Sequence, residues 1–359
     1  MKKTIKPENM PPFSCTHSPN LPGLLRKLGC TIVVSTYQAG KLVFISATDD
    51  QNLIQLPRTF KRAMGIALHD SQLAIATANE IITFATSPEL AATYPSKPHT
   101  YDALYVPRTT YYTGHLDMHD LHYGKDGLWG VNTSFSCVCK IDADYSFRPT
   151  WRPHFIDALV SEDRCHLNGL AMKDGEPMYV SALGSGNAFQ SWRDTVTTGG
   201  IIMHLPSNSI IAEGLAMPHA PRLYDGDLYA IQSAKEEIIL IDPNTGKYDV
   251  IARVPGFIRG MAREGNYLFV GTSKLRKHSS TFKKLNLNAD AAGITVIHLP
   301  TGRIEARVEW LNSIDEIYDV QILPGVVRPN IINTYGENHN YALMLPNATY
   351  WARPSQNDL

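Results

Sequence analysis

The chain has 359 residues, of which 43% are hydrophobic and 19% are charged, and its 33 basic and 34 acidic residues leave a net charge of −1. This composition is typical of a globular protein and excludes a disordered or membrane-embedded chain, and the balanced charge argues against general electrostatic binding to nucleic acid or anionic lipid. No apolar run approaches the roughly 20 residues that are needed to span a bilayer.

Residues 1–30 are predicted to form an arm ahead of the main fold. The basic start has no apolar segment after it of the kind that a secretory signal requires, and the five cysteines show no disulfide-framework spacing. We therefore expect a cytoplasmic location. Residues 21–28 predict a short helix with Pro22 in its first turn.

From residue 31 the sequence is predicted to be almost entirely β. Short runs rich in Val, Ile, Tyr and Phe are separated by Gly, Asp, Asn and Pro, and sustained helical periodicity is nearly absent. The first three predicted strands are residues 31–37, 41–46 and 52–56.

A weak internal repeat follows these strands. Each copy contains a short apolar strand, a polar turn and a hairpin, and the copies are spaced by roughly 40 to 58 residues, the period of a four-stranded propeller blade with insertions. The copies begin at Ala63, Met118, Leu167, His219, Arg259 and Ile317.

The sequence therefore predicts an all-β protein with a single β-propeller over residues 31–345 and a C-terminal tail over 346–359. The last repeat is incomplete and the three N-terminal strands lack an inner strand, so strands from both termini are expected to share one blade and close the ring. Six blades are predicted. Seven are the alternative if the long insertion between Ala85 and Gly114 contains further strands.

Three insertions interrupt the repeats, at residues 88–112, 184–198 and 273–290. The third is locally basic. It is either a solvated loop or a lid that meets an anionic ligand, since long loops in compact folds are often functional.

The inner strands of a propeller line a central channel, and one repeat position is expected to face it. Five of its six occupants are polar, whereas a purely structural position would repeat Val, Ile or Ala. Polar side chains that converge on an axis indicate a ligand or metal site. The occupants are Met64, His119, Asn168, His219, Arg259 and Tyr318.

His119, His166 and His219 are the predicted ligands of a divalent transition metal, Zn, Fe or Cu. Neutral imidazole suits these metals, and three protein ligands leave a coordination position open for water or substrate. The alternative is that each histidine is a hydrogen-bonded structural residue.

Charge and hydrogen-bonding capacity indicate the remaining candidate site residues. The predicted catalytic residues are Glu316, Asp120 and Arg259, with either carboxylate as the base, and the predicted substrate-binding residues are Arg222, Arg259, Asn168, Tyr318 and Arg62. If no anion binds, Arg222 and Arg259 instead pair with Asp117, Glu316 or Asp319 across the channel. Asp120 and Asp319 share a repeat position with three glycines, and the alternative for them is bonding to backbone amides.

Six motifs carry a resemblance to a known family over residues 31–330. They are Ser35-Thr-Tyr-Gln-Ala-Gly-Lys-Leu, Gly114-His-Leu-Asp-Met-His-Asp, His166-Leu-Asn-Gly-Leu-Ala, Pro218-His-Ala-Pro-Arg, Pro255-Gly-Phe-Ile-Arg-Gly and Glu316-Ile-Tyr-Asp-Val. With these motifs the chain resembles the TIGR03032 family of conserved hypothetical proteins. That resemblance implies no assigned activity.

A looser similarity is to the six-bladed gluconolactonases of the SMP-30 type. Asn168-Gly-Leu-Ala resembles the strand that carries one of their metal-binding asparagines. Histidines stand where that family has further carboxylate and amide ligands, so the departure argues against a calcium site and favours a softer divalent metal.

The predicted function is a metal-dependent enzyme that acts on a small molecule or peptide segment with an anionic group, either hydrolase or lactonase-like or oxygen-activating. One alternative is a non-catalytic binding or scaffold module, because fold does not settle function. Another is a metal-free lyase or lactonase with a histidine as acid–base catalyst. No nucleic acid or membrane partner is expected, and the sequence does not specify the oligomeric state.

Overall fold

Short strands ended by turns with Gly, Asp or Asn make up most of the chain in the computed structural model. The structure describes residues 10–275, 281–282, 285, 287 and 289–352. Both residues of the Asp174-Gly175 and Asp225-Gly226 turns have positive φ, as two-residue hairpin turns require.

The N-terminal segment leads into the first long strands. Its elements are β1 (Cys15–His17), α1 (Leu21–Leu28), β2 (Cys30–Thr36), β3 (Lys41–Ala47) and β4 (Leu53–Thr59). The helix coincides with the predicted one and has Pro22 in its first turn, and it ends at Gly29, whose φ is 63°.

Five antiparallel blades of four strands each follow along the chain and run from the channel outward, and in the last of them β1 adds a fifth strand outside the outermost one. Blade 1 consists of β5 (Ile66–His69), β6 (Gln72–Ala76), β7 (Glu80–Thr86) and β8 (Ala103–Tyr112), with α2 (Pro88–Ala92) between the last two strands. Blade 2 consists of β9 (Met118–Gly124), β10 (Gly127–Asn132), β11 (Cys137–Lys140) and β12 (Arg148–Trp151). Blade 3 consists of β13 (Leu167–Lys173), β14 (Glu176–Ala182), β15 (Gly200–His204) and β16 (Ser209–Leu215). Blade 4 consists of β17 (Pro218–Tyr224), β18 (Asp227–Gln232), β19 (Glu237–Ile241) and β20 (Tyr248–Arg253). Blade 5 consists of β21 (Phe257–Glu264), β22 (Tyr267–Ser273), β23 (Ala292–His298) and β24 (Arg303–Trp310).

The closing blade combines strands from both ends of the chain. Its inner strand is β25 (Asp319–Pro324), and β2, β3 and β4 complete the sheet outward. The predicted six-bladed propeller with a shared closing blade is therefore confirmed. The insertion between Ala85 and Gly114, which made seven blades the alternative, contributes only α2 and β8, and β8 is the outer strand of blade 1.

The last elements of the described chain lie against blade 1. They are β26 (Pro329–Ile331), α3 (Asn338–Tyr341), β27 (Ala342–Leu345) and β28 (Ala348–Trp351). β26 pairs in parallel with the outer edge of β8. The β27–β28 hairpin crosses the predicted boundary at residue 345, and Trp351 Nε1 donates to the carbonyl of Leu90 in α2.

The hydrophobic core is divided among the spaces between neighbouring blades. Strand β2 is buried on both faces: Ile32 and Val34 pack in the cluster shared with blade 5, and Val33 packs in the cluster shared with blade 1. Alternate residues of a strand point to opposite faces, so a continuous apolar run suits a sheet that lies between two others. Among the residues that the structure describes, none of the helices has the length and apolarity to cross a membrane.

Candidate functional site

The inner strands of the propeller bring predicted site residues together in a cavity of about 280 Å³. Blades 2 to 5 and the closing blade all contribute side chains to its wall, so the cavity lies on the propeller axis. Five of the predicted residues line it: His119, His166, His219, Arg259 and Tyr318.

His119 is held by its own blade through one ring nitrogen. Nδ1 lies 3.0 Å from the carbonyl oxygen of Asp117 and 2.7 Å from Thr133 Oγ1. The Thr133 hydroxyl donates its own hydrogen to the Leu167 carbonyl, so Nδ1 is the donor toward Thr133. Proton-bearing Nδ1 leaves Nε2 with a lone pair for the cavity.

His219 repeats this arrangement in blade 4. Its Nδ1 lies 3.0 Å from the Met217 carbonyl oxygen and 2.8 Å from Ser233 Oγ. A carbonyl only accepts, so Nδ1 again bears the proton. Asp117 and Met217 both have φ of 52°, and this left-handed conformation turns their carbonyls toward the imidazole two residues later.

Both imidazoles are neutral at neutral pH. Burial is the largest cause that holds the pKa of His119 well below its usual range, and nearby His166 and Arg259 lower it further. Burial, Arg259 and His166 lower the pKa of His219 in the same way. The cavity is therefore lined by two neutral imidazoles, whose Nε2 lone pairs can accept a proton.

His166 is oriented by a carboxylate. Its Nδ1 lies 3.0 Å from both oxygens of Asp163, which also accepts a hydrogen bond from Trp192 Nε1 at 3.1 Å. The His166 ring meets that of His119 almost at right angles, with centroids 4.8 Å apart. Asp163 thus fixes which ring nitrogen of His166 is directed away from the blade.

Arg259 supplies positive charge to the cavity. Its guanidinium carbon lies 3.8 Å from the centre of the Tyr318 ring, and Nη1 lies 3.6 Å from Glu316 Oε1. The stacking and the carboxylate hold a planar donor group in place, and such a group binds carboxylates in bidentate fashion.

Aromatic residues from the insertions form one wall of the cavity. Trp192 comes from the second insertion, and Phe282 of the third packs edge-on against Phe257 with centroids 5.1 Å apart. Arg193 Nη1 donates to Thr281 Oγ1 at 2.6 Å, so the described parts of the two insertions meet at the cavity. Much of the basic stretch, interpreted as either a solvated loop or a lid, lies outside the described residues.

A second, smaller chamber of about 20 Å³ adjoins the cavity. The two spaces share four lining residues: His119, His219, Arg259 and Tyr318. The chamber also contacts Asn168, Asp120, Arg222 and Asp319, so the remaining polar residues of the axis lie beside it.

Arg222 and Asp120 form a buried ion pair between blades 4 and 2, with Nη1 and Oδ2 2.8 Å apart. Asp120 also accepts from the backbone N–H groups of Leu121 and Leu170. Burial opposes charge on Asp120, but Arg222 holds the pKa of that carboxyl well below its usual range. Burial and the charge of Asp120 raise the pKa of Asp319 to about 6.

Four predicted residues thus have other partners than a ligand. Arg222 and Asp120 are committed to each other, and Glu316 lies beside Arg259 outside the cavity wall. Arg62 also lies outside it, stacked 4.6 Å from the centre of the Tyr37 ring and 3.9 Å from Asp117. The catalytic and substrate-binding roles of these four residues stay predictions. The contacts of Arg259 with Glu316 and of Arg222 with Asp319 are those of the alternative, pairing across the channel.

The three predicted metal ligands share the cavity without forming a coordination shell. In the part of the chain that the structure describes, no group of three or more His, Cys, Asp or Glu side chains is arranged to hold a metal ion. The metal site at His119, His166 and His219 therefore stays a prediction.

Several residues that shape the site were not predicted from the sequence. Thr133 and Ser233 each follow their histidine by 14 residues, a spacing that the repeat alignment contained. Asp163 lies three residues before His166, a spacing that carries no signal in an irregular loop. Trp192 and Phe282 reach the cavity only because their insertions fold over it.

Comparison with known proteins identifies a family and a fold. The model of a family described as "Domain of unknown function (DUF4915)" matches residues 19–332, which is most of the chain. No curated protein matches the sequence.

Two solved structures illustrate the fold similarity. A chain in the "Crystal structure of Nidogen/Laminin Complex" has a TM-score of 0.52 and 11% identity, and the alignment covers 82% of this chain and 99% of that one. A protein of unknown function from Bacteroides caccae has a TM-score of 0.50 and 9% identity, with 82% and 98% covered. At such identities the likeness shows the fold alone.

Proposed function

We propose that this chain, which belongs to the DUF4915 family of unknown function, is a histidine-based acid–base enzyme that acts on a small organic anion in the axial cavity. The observation that carries the proposal is a pair of buried neutral imidazoles, His119 and His219, beside the guanidinium of Arg259. A neutral imidazole accepts a proton, and a guanidinium binds a carboxylate.

Arg259 is the anion-binding group in this proposal. Its stacking on Tyr318 and its contact with Glu316 limit its motion, so little rotamer entropy is lost when a ligand binds. The aromatic wall formed by Trp192, Phe257 and Phe282 then contacts the apolar part of the ligand.

The imidazoles transfer the proton. Nε2 of His119 or His219 removes it, and the Nδ1–H bond to a backbone carbonyl stabilises the imidazolium that forms. A bound carboxylate compensates the charge of Arg259, which lowers both imidazole pKa values, so ligand binding itself makes the histidines more basic. The imidazolium that forms then returns the proton, and His166, oriented by Asp163, lines the same cavity.

Ligand binding tests the proposal directly. Thermal unfolding is measured with a panel of small mono- and dicarboxylates, and at least one should raise the melting temperature. A ligand at 100 times its dissociation constant contributes about 2.7 kcal/mol to the free energy of unfolding. Arg259→Gln should abolish this shift, whereas Arg26→Gln, which changes an exposed arginine paired with Asp50, should retain it. If no carboxylate binds, or if Arg259→Gln binds equally well, the proposal is wrong.

A metal-dependent enzyme is the second candidate. It is favoured by three imidazoles in one cavity whose Nδ1 atoms all have hydrogen-bond partners, which leaves Nε2 as the available donor. Bound Zn, Fe or Cu would supply Lewis-acid or, for iron and copper, oxygen chemistry. Metal analysis after reconstitution distinguishes the two candidates. If stoichiometric metal is bound and is lost in both His119→Ala and His219→Ala, the metal-dependent enzyme replaces the first proposal.

The alternative of a non-catalytic binding module predicts a different pattern. It should tolerate both histidine substitutions and lose its partners on surface mutation. The similarity of residues 168–171 to SMP-30-type gluconolactonases stays a prediction, as does membership of the TIGR03032 family. The former is the reason to include carboxylated lactones and esters in the ligand panel.

A further inference from the structure

The small chamber beside the axial cavity contains two polar atoms without a hydrogen-bond partner among the described residues. They are Asn168 Nδ2 and Tyr318 Oη, and each residue is only 5% exposed. Both residues line the chamber. Leaving a buried polar group unpaired costs about 1–3 kcal/mol, so these two atoms indicate that something occupies the space between them.

The size and lining of the chamber suit one water molecule. Its volume of about 20 Å³ exceeds the roughly 10–15 Å³ that a water requires, and empty cavities in proteins are apolar. A bound cation would face Arg222 and Arg259, and a bound anion would face Asp120 and Asp319, so charge disfavours both ions.

We propose that this chamber holds the water that the enzyme consumes, and that the reaction in the axial cavity is therefore a hydrolysis. The inference rests on the proposed acid–base function. It narrows the substrate to an ester or lactone that also carries an anionic group.

The hydrogen-bonding capacity of the chamber matches that of water. Asn168 Nδ2 is a donor, and burial raises the pKa of Tyr318 well above its ordinary value, so its hydroxyl stays protonated and also donates. The lone pairs on Nε2 of His119 and His219 accept the two hydrogens of the water. Two donors and two acceptors complete its four bonds.

The reaction balances without another reactant. The water oxygen bonds to the substrate carbonyl carbon while Nε2 of one imidazole takes a proton from it. The carbon–oxygen bond of the ester or lactone then breaks, and the imidazolium returns the proton to the leaving oxygen. Water has added across the bond, giving an acid and an alcohol, while Arg259 holds the substrate anion.

A crystal structure tests the water site without any ligand. We expect density for one water within about 3 Å of Asn168 Nδ2 and Tyr318 Oη. Asn168→Leu should remove it at nearly constant side-chain size. Ser181→Ala is the matched control, because it removes the bond from Ser181 Oγ to Asn168 Oδ1 and leaves Nδ2 intact. An empty or ion-filled chamber in the wild type overturns the inference.

Kinetics with 4-nitrophenyl hydrogen succinate, an ester that carries a carboxylate, test the role of the water. Asn168→Leu should lower kcat roughly 100-fold with little change in KM, as expected for a group that positions a reacting water, while Ser181→Ala should retain most of kcat. Unchanged kcat in Asn168→Leu overturns the inference. If the water is present but the protein binds no carboxylate, the proposed acid–base function is wrong, and so is the hydrolysis. If the protein binds a carboxylate but the water is absent, only the hydrolysis is wrong.

Discussion

His119 and His219 are oriented by residues of their own blades, whereas burial and charges from other blades keep them neutral. In each blade a left-handed residue two positions earlier and a hydroxyl 14 positions later bind Nδ1. Nδ1 is therefore hydrogen-bonded, and Nε2 is left for the channel. The geometry is local, so the same device serves two blades that are not neighbours.

The dependence of the free energy of unfolding on pH should show that these histidines are neutral in the folded protein. An unfolded imidazole has a pKa of about 6.5, whereas His219 in the folded protein has a lower one. Between the two values only the unfolded chain binds the proton, so the free energy of unfolding falls as pH decreases below about 6.5, by about 1.4 kcal/mol per pH unit for each such histidine. His219→Asn, which keeps an N–H donor, should remove that share of the slope.

The measurement is urea unfolding at several pH values between about 7 and 5. Asp319, with its pKa raised to about 6, gains stability as pH falls and acts in the opposite direction, but it is present in both proteins and cancels from their difference. His69→Asn at an exposed position is the control. Equal slopes for wild type and His219→Asn would show that His219 is not held neutral.

At the scale of the elements, the inner strands approach one another through alternating glycine and larger residues. An added Cβ at Gly65 would lie 2.9 Å from Asp120 Cα, and one at Gly260 would lie 2.8 Å from Asp319 Cα. Each aspartate in turn accepts the N–H of a strand on its other side, Asp120 that of Leu170 and Asp319 that of Ile66. The glycines allow the backbones of neighbouring blades to approach closely, and each carboxylate accepts a hydrogen bond across the interface with the next blade.

Gly260→Ala should destabilise the protein more than Gly114→Ala. The two glycines have φ of 74° and 75°, so alanine suffers the same left-handed strain of about 1–2 kcal/mol at either position. Nothing lies within 4 Å of a Cβ at Gly114, whereas the one at Gly260 meets the backbone of β25. Overpacking should add about 1–3 kcal/mol for Gly260→Ala in urea unfolding. Equal losses of stability in the two variants would mean that the inner strands move apart to accommodate the added methyl group without cost.

For the whole molecule, ring closure depends on one strand from the C-terminal part of the chain. β25 pairs with β2 in continuous register from Asp319↔Ser35 to Pro324↔Cys30. It also supplies the N–H acceptor Asp319 and follows directly on Tyr318 of the cavity. Closure and the site therefore depend on the same segment.

Truncation of the chain should distinguish the contribution of ring closure to stability from that of the C-terminal elements. A chain that ends at residue 316 lacks β25 and exposes the edge of β2, so we expect no cooperative thermal transition. A chain that ends at residue 333 keeps the ring and loses α3 and the β27–β28 hairpin, which packs on α2. It should melt cooperatively with a loss of about 1–3 kcal/mol. A cooperative transition in the shorter chain would contradict the role of β25.

The sequence by itself determined the ring of six blades and the repeat position that faces its axis. Alternation within strands and the turn residues are local properties, and their repetition identified the blades, the shared closing blade and the position of His119, His219, Arg259 and Tyr318. Only the tertiary structure decided which partner each polar residue takes. Arg222 pairs with Asp120 from a blade two away, β26 adds to blade 1, and the aromatic wall comes from folded insertions. These contacts depend on distances between blades, and no spacing within one repeat encodes them.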